Sequence, residues 1–247
     1  MSSFAVKIVE SLLNKQSNEQ LLALDIGSTS VKLLEMDISG SKPKILAIGS
    51  ASLPGGIFTN NTINDTDLVG KIIRDLVDES GATSTKVSFC LPGPAAFVKK
   101  VNTPAMSLKE FDQNIIYEAS NYIPDDIEAV HFDYQVVGLD EETQEMDAII
   151  IAIKNDIILS FVQSIESAGL QPVIADIDYF AMQNMFEHCY PEEQDKVIAL
   201  IDIGARYARV NIVHQGVSLF NGDVAVGGRM YNDCLLYTSD AADDDRS

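Results

Sequence analysis

A short motif occurs twice in the chain, and this repeat constrains the fold more than any other feature of the sequence. Each copy is an apolar strand-like run that ends in Asp-Ile-Gly and opens a turn. A basic residue follows seven positions after each aspartate, Lys32 after Asp25 and Arg209 after Asp202. Further strand-like runs follow both copies, so the chain contains two similar modules. We therefore expect a two-lobed molecule in which related sites face each other.

The residues around the first copy predict three consecutive antiparallel strands, because the connections between the apolar runs are short. A helix follows, which Asp65 or Thr66 is placed to cap and Gly81 to end. An Asn-rich stretch before this helix is expected to be a loop. The three strands are expected over residues 21–25, 31–37 and 44–53.

The Pro-Gly-Pro sequence at 92–94 marks the start of a segment that we expect to be an inserted α+β subdomain. Ser107 and Glu110 have the spacing of a capping box, which predicts a helix after them. A polar turn joins the next two apolar runs into a hairpin. Asn155 is placed to cap the last helix of the insert, over 157–168.

The predicted organisation has five parts. We expect an N-terminal leader helix over 1–20, a first lobe split between 21–94 and 172–190, an inserted subdomain over 95–171, and the start of a second lobe over 191–234. The final residues, 235–247, lack apolar periodicity. They are either a natural acidic tail or, as we expect, a non-native sequence appended to a gene fragment.

The turn after the first aspartate is suited to binding phosphate. Gly27 lets the backbone come close to a ligand, and the N–H groups of Ser28, Thr29 and Ser30 can point at phosphate oxygens. Lys32 supplies a point charge for the outer phosphates. A single loop of this kind is also typical of a plain hairpin turn, but two copies in corresponding places favour phosphate binding.

Asp25 and Asp202, at the two strand ends, are candidate supports for Mg²⁺. This small ion keeps several of its waters and needs few carboxylates, so binding through water is expected. The three histidines, His131, His188 and His214, are isolated and show no metal-ligand spacing.

Charge and hydropathy exclude several classes of function. The chain carries 17 Lys and Arg against 37 Asp and Glu, a formal net charge of −20, which makes general nucleic-acid binding unfavourable. No apolar run reaches 18 residues, so no direct membrane insertion is expected. Three widely spaced cysteines indicate a reducing compartment rather than a disulfide framework.

The twin motif resembles the superfamily of actin, hexokinase and the heat-shock ATPases, and the insert after Pro-Gly-Pro narrows the resemblance to the FtsA and PilM branch. Within that branch the chain is most similar to the PilM family of type IV pilus assembly. The resemblance implies an α/β, actin-like ATPase (ribonuclease H-like) fold with two lobes and an α+β insert. Because the relatives continue well beyond the end of this chain, it also implies a C-terminally truncated chain with an incomplete second lobe. The residues that carry the resemblance are 22–37, 110–137, 167–184 and 198–216.

The same resemblance implies ATP and Mg²⁺ as cofactors and assigns their residues. Asp178 lies where relatives place a water-positioning polar residue, with Asp176 as a rival, although both are equally placed to cap the following helix. Arg209 stands where many relatives have a different residue, which argues against a direct phosphate role for it. The cofactor-binding residues implied are Asp25, Gly27, Ser28, Thr29, Ser30 and Lys32 in the first loop, Asp202 and Gly204 in the second, and Gly227 and Gly228 near the end of the chain.

The family further implies a cytoplasmic scaffold, peripheral at the inner membrane, that works with other pilus platform proteins. Its partner would be the N-terminal cytoplasmic peptide of the membrane protein PilN, bound in a groove between the first lobe and the insert. ATP would bias lobe closure, with slow ATPase turnover at most. Three alternatives stay open from the sequence. One is an FtsA-type cell-division protein, and another is a sugar or acetate kinase, which would need an Asp general base and a longer second lobe. The third is a two-lobed fragment in which neither site works.

Overall fold

The computed structural model describes residues 20–37, 39, 43–140, 142–232 and 234 of the 247-residue chain. The predicted leader helix over 1–20 lies outside the described residues except for its last position, and the predicted appended tail lies wholly outside them. Among the helices of the described ranges, none has the length and apolarity that crossing a membrane requires.

The described ranges contain thirteen strands and four α-helices, besides the helical residues that begin at Gly228. The strands are β1 (Leu22–Ile26), β2 (Ser30–Asp37), β3 (Lys44–Ser52), β4 (Phe58–Thr59), β5 (Thr62–Ile63), β6 (Lys86–Leu91), β7 (Ala96–Pro104), β8 (Val130–Asp140), β9 (Glu145–Lys154), β10 (Gln171–Ile177), β11 (Ile198–Ile203), β12 (Ala208–His214) and β13 (Val217–Val224). The helices are α1 (Thr66–Ser80), α2 (Leu108–Tyr122), α3 (Asn155–Ser167) and α4 (Asp178–Cys189).

The first sheet has five strands in the order β10-β6-β1-β2-β3. β1, β2 and β3 pair antiparallel in sequence order, which confirms the predicted meander. β6 runs parallel to β1, and β10 runs parallel to β6. These parallel strands are joined through helix-containing connections, as parallel pairing requires. The carboxyl ends of β1, β6 and β10 therefore lie at one edge of the sheet, where the first aspartate of the repeat is found.

Local capping explains where α1 and α2 begin and where α1 ends. The Asp65 carboxylate accepts a hydrogen bond from the backbone N–H of Leu68 at 2.9 Å, and Gly81 ends α1 with a left-handed φ of 72°. Ser107 and Glu110 form the predicted capping box of α2. The prediction for Asn155 was wrong, because Asn155 is the first residue of α3 and its side chain donates to the backbone carbonyl of Glu128 instead.

A short hairpin, β4–β5, stands where the sequence predicted only a loop. Its two turn residues, Asn60 and Asn61, have φ values of 49° and 67°. Asparagine tolerates this left-handed conformation better than most residues, and two-residue hairpin turns favour it. The backbone N–H of Ile63 donates to the buried hydroxyl of Ser160 in α3, which fixes the hairpin to the core.

The insert is a three-stranded antiparallel sheet, β7-β9-β8, with α2 packed on one face. Side chains alternate along β9, as the strand period requires. Ala148, Ile150 and Ala152 lie in the core that α2 covers, whereas Ile149, Ile151 and Ile153 lie in the larger core of the first sheet. α3 packs against α1 and contributes to that larger core, although the sequence grouped it with the insert. The lobe boundaries themselves stay a prediction.

α4 lies between the two main sheets. It contacts β6 and β10 of the first sheet and β12 of the second. The second sheet pairs β11, β12 and β13 antiparallel in sequence order, as the repeat predicted. The start of α4 is thus the place where both lobes and both copies of the repeated motif come together.

Candidate functional site

The two copies of the motif have the same backbone geometry. In the first, Asp25 lies directly across the strand pair from Lys32, and the N–H of Gly27 donates to the carbonyl of Ser30 at 2.9 Å. In the second, Asp202 lies directly across from Arg209. There the N–H of Gly204 donates to the carbonyl of Tyr207, again at 2.9 Å. The sequence repeat is therefore a repeat of two hydrogen-bonded turns, each flanked by an acid–base pair.

A cavity of about 290 Å³ opens between the two turns. It brings together nine of the predicted site residues: Asp25, Gly27, Ser28, Thr29, Ser30, Lys32, Asp178, Asp202 and Gly204. Further lining comes from both lobes and includes Phe58, Asn61, Cys90, Phe161, Arg206, Tyr207 and Arg209. The size suits a small ligand better than a macromolecule.

Gly227 and Gly228, also predicted as cofactor-binding, do not line this cavity. Gly227 packs behind the second turn, where a Cβ atom would lie 2.5 Å from the carbonyl oxygen of Ala205. The N–H of Gly228 donates to the carbonyl of Gly204 at 3.0 Å. The two glycines therefore support the second turn from outside the cavity. Gly228 is the first helical residue after β13.

Asp178 faces the cavity from the first position of α4, and its rival Asp176 does not line it. Neither carboxylate caps α4, since its N-cap residue is Ile177 and no side chain accepts there. One Asp178 oxygen, Oδ1, accepts from the N–H of Gly93 at 3.0 Å. Burial raises the pKa of Asp178 to about 6, against the opposing effects of Arg209 and the Gly93 N–H.

Arg209 is the residue that sequence reasoning undervalued. Its Nη1 atom donates to Oδ2 of Asp202 at 2.5 Å, and its Nε atom lies 2.8 Å from Oδ2 of Asp178. The Nε–H is poorly aligned for a hydrogen bond despite this distance. Burial acts to lower the pKa of Arg209, but Asp178 and Asp202 outweigh it and the pKa rises. The seven-residue spacing from Asp202 was the available signal, because it placed Arg209 opposite that aspartate in the hairpin.

The corresponding pair in the first motif is exposed. Nζ of Lys32 lies 2.7 Å from Oδ2 of Asp25, and the two side chains are 61% and 58% exposed. An ion pair so open to water contributes little to stability and separates readily. The two motifs therefore differ in how the basic residue is held: Lys32 is exposed beside one carboxylate, whereas Arg209 is half-buried between two.

A thiol and a phenol also lie near the cavity. Burial is the main cause that raises the pKa of Cys90, with Asp176 and Asp178 adding to it. Burial likewise raises the pKa of Tyr179, whose hydroxyl donates to Asp223 at 3.2 Å. Both groups therefore stay protonated at neutral pH and are poor nucleophiles.

The donors of the two turns fit a phosphate chain. Among the described residues, the backbone N–H groups of Ser28, Thr29 and Arg206 have no hydrogen-bond acceptor. Amides of this kind, at the tip of a tight turn, bind anions. The fit to Mg²⁺ is weaker, because Asp25 and Asp202 each already hold a basic side chain of this chain. In the described part of the chain, no three His, Cys, Asp or Glu side chains come together as a metal site.

A second cleft, of about 500 Å³, lies between the β4–β5 hairpin and the start of the insert. Asn61 lines both this cleft and the first cavity, so the hairpin is the wall between them. The cleft is lined by Thr59, Asn60, Asn61, Thr62, Asn64, Pro94, Ala95, Lys154, Asp156 and Ile157.

Comparison with known proteins gives two relevant similarities. The family model described as type IV pilus assembly protein PilM matches residues 23–245, a span that reaches into the segment predicted to be appended. A solved structure described as the PilM-PilN type IV pilus biogenesis complex superposes with a TM-score of 0.81 at 25% sequence identity. The match covers 90% of this chain and 66% of that one, so the chain spans just under two thirds of that relative's length.

The cytoplasmic domain of EpsL, an inner membrane component of the type II secretion system of Vibrio cholerae, superposes with a TM-score of 0.53. The identity is 13%, and the match covers 84% of this chain and 71% of that one, which shows a shared fold alone. Together with the topology, these similarities confirm the predicted mixed α/β fold of the actin-like ATPase class.

Proposed function

The chain belongs to the PilM family of type IV pilus assembly proteins, and we propose that it is an ATP-binding scaffold of the pilus assembly platform. In this proposal the scaffold is cytoplasmic and peripheral at the inner membrane, where it binds the N-terminal cytoplasmic peptide of a PilN-like protein. Other platform proteins would assemble on the same scaffold. No observation favours the cell-division or kinase alternatives over this reading.

The cavity between the two turns is the observation that carries the nucleotide part of the proposal. It joins two anion-binding turns from two lobes, so a phosphate chain bound there would contact both. A ligand that contacts both lobes favours the lobe arrangement in which its contacts are complete. ATP would therefore act by selecting one lobe arrangement, and with it one affinity for the peptide.

The family resemblance assigns Mg²⁺ to Asp25 and Asp202, which fit it poorly because each already pairs with a basic side chain. Asp178 is the candidate for positioning an attacking water. Each of these groups is engaged in this structure, Asp178 with the Gly93 N–H and with Arg209. A carboxylate that already bonds an amide and a guanidinium is a weak holder of a water molecule. We therefore propose slow hydrolysis at most.

The cleft between the β4–β5 hairpin and the insert supports the peptide part of the proposal. It lies between the first sheet's domain and the insert, which is where the family resemblance placed the groove. Its lining is polar on the hairpin side and includes both a cation, Lys154, and an anion, Asp156. Such a lining can pair with the ends and side chains of an extended peptide.

The test is a pair of titrations on the 247-residue chain. A fluorescent ATP analogue reports on the cavity, and a labelled copy of the N-terminal cytoplasmic segment of the organism's PilN-like protein reports on the cleft. Saturable binding of both supports the proposal, and a scrambled peptide controls for charge. If a folded chain binds neither probe, the proposal is overturned.

Matched variants separate the two sites. Thr62→Trp fills the cleft and is expected to weaken peptide binding by about tenfold or more, since a bulky ring removes contact area. Thr143→Trp places the same ring on an exposed turn that lines neither site and is expected to bind the peptide like the unmodified chain. Equal loss in both variants would remove the cleft from the peptide site.

A further inference from the structure

Both carboxylates predicted to support a metal ion already carry a basic partner from this chain. Lys32 lies across from Asp25, and Arg209 lies across from Asp202. The arrangement follows from strand register: a residue seven positions later in a tight hairpin of this kind is the direct cross-strand neighbour. The pairing is therefore built into both copies of the motif.

Arg209 is held more firmly than a surface arginine. Only 20% of its side chain is exposed, and it bridges Asp202 and Asp178 through two different nitrogen atoms. Its Nη1 atom also lies against the second turn, 3.6 Å from where a Cβ atom at Gly204 would be. The guanidinium thus lies at the position from which a cation would reach a phosphate bound by that turn.

Arg209 also keeps donors that the protein does not use. Guanidinium has five N–H donors in a fixed plane. No described residue accepts a hydrogen bond from its Nη2 amino group, whereas its Nε–H is buried beside Asp178. Unused donors on a partly buried guanidinium are suited to a further anion besides the two carboxylates, such as a phosphate whose oxygens accept two parallel hydrogen bonds.

We propose that Arg209 takes the place of a divalent metal in this cavity, so that a polyphosphate binds without Mg²⁺. This inference rests on the proposed nucleotide function and names the residue that supplies the charge. Phosphate oxygens are bound by the amides of the two turns, by Lys32 and by the free face of Arg209. Asp202 and Asp178 hold the guanidinium in position and do not act as metal supports.

Electrostatics favours phosphate binding by the Arg209 guanidinium over a metal ion at Asp202. Mg²⁺ brought to that carboxylate would sit within a few ångströms of the guanidinium, and like charges at such distances repel strongly in a partly buried site. Removing the arginine to make room would leave Asp178 buried without its cation, which is costly. Phosphate binding to the guanidinium needs neither change.

The test measures equilibrium binding of ATP to the full chain by calorimetry, once with excess EDTA and once with Mg²⁺. We expect the dissociation constants of the unmodified chain to agree within about threefold, because the cation of the site is part of the protein. The Arg209→Gln variant is expected to lose about tenfold or more in EDTA, since a charge-assisted bond to phosphate is removed. Lys71→Gln, which removes an exposed cation on α1 paired to Asp75, is the matched control and should behave like the unmodified chain.

The outcomes separate this inference from the proposed function. No ATP binding by the folded, unmodified chain under either condition overturns the nucleotide function and this inference with it. Binding that requires Mg²⁺ overturns the inference alone, and this comparison uses only the unmodified chain, so it does not depend on a variant that folds. Metal-independent binding that Arg209→Gln and Arg209→Lys both leave unchanged would also overturn it.

Discussion

One fully buried asparagine joins α4 to the second sheet, and its replacement gives a quantitative test of the structure. Asn211 in β12 is 0% exposed. Its amide nitrogen donates to the carbonyl of Tyr179 at 3.1 Å and to Oε1 of Gln183 at 3.3 Å, both in α4. Its amide oxygen accepts from the hydroxyl of Ser218 at 2.7 Å. One side chain thus ties two turns of α4 to two strands of the second sheet.

The Asn211→Leu variant keeps the volume and removes all three hydrogen bonds. Each neutral hydrogen bond contributes about 1 kcal/mol net, and a buried partner left unsatisfied costs about 1–3 kcal/mol. Three partners are left, of which the carbonyl of Tyr179 and the hydroxyl of Ser218 have the least freedom to find water. We therefore expect the free energy of unfolding to fall by about 3 kcal/mol, measured by urea denaturation with the slope of the transition unchanged.

Asn221 provides the matched control, because it lies directly across the strand pair from Asn211 and is only partly buried. Asn221→Leu is expected to change the free energy of unfolding by less than about 1 kcal/mol, as a surface substitution does. If the two variants differ by less than about 1 kcal/mol, the buried network does not stabilise the junction and the reasoning is refuted.

Three further outcomes are expected. Glu35→Ala leaves two backbone amides and a hydroxyl without their buried carboxylate acceptor, which should lower the free energy of unfolding by about 4 kcal/mol, whereas exposed Glu79→Ala should change it little in the same urea titration. Gly93→Ala places a Cβ atom 2.3 Å from a tyrosine ring and should both lower the melting temperature and weaken ATP binding, whereas Gly55→Ala meets nothing within 4 Å and should do neither. Burial raises the pKa of Asp178 to about 6, so the folded state binds the proton more tightly than the unfolded state does, and this group's contribution to stability falls by up to about 3 kcal/mol as pH rises from about 4 to 6. The free energy of unfolding of the unmodified chain minus that of Asp178→Asn, measured by denaturation at each pH, should therefore fall over that window and stay level above it.

The parts of the fold that the sequence could predict are those set by local rules. The three-strand meander, the Asp65 cap and the capping box of Ser107 and Glu110 each need only residues close together in the chain. The repeated motif also allowed a prediction about two parts of the chain that are far apart in sequence, because two similar hairpins imply similar turns. Nine residues named from the two turns and from α4 accordingly meet in one cavity.

Where the structure differs from what the local sequence indicated, a distant part of the chain supplies the partner. Asn155 has the chemistry of a helix cap, but the carbonyl of Glu128 competes for its amide. The cofactor role of Gly227 stays a prediction, and in the structure the backbone of the second turn lies against this glycine. α3 follows the insert in sequence and packs on α1 because its buried face, which includes Phe161, completes the larger core.

Asp178 shows why the cavity and the junction between the lobes cannot be treated as separate features. One of its oxygens accepts from Gly93 at the end of the first sheet, and the other lies against Arg209 of the second sheet. Arg209 in turn holds Asp202 in the second turn of the cavity. A continuous chain of bonds therefore runs from the first lobe, through the start of α4, to the floor of the cavity. Because an anion on the free face of Arg209 shares this guanidinium with both carboxylates, its binding energy is linked to the contacts that hold the lobes together.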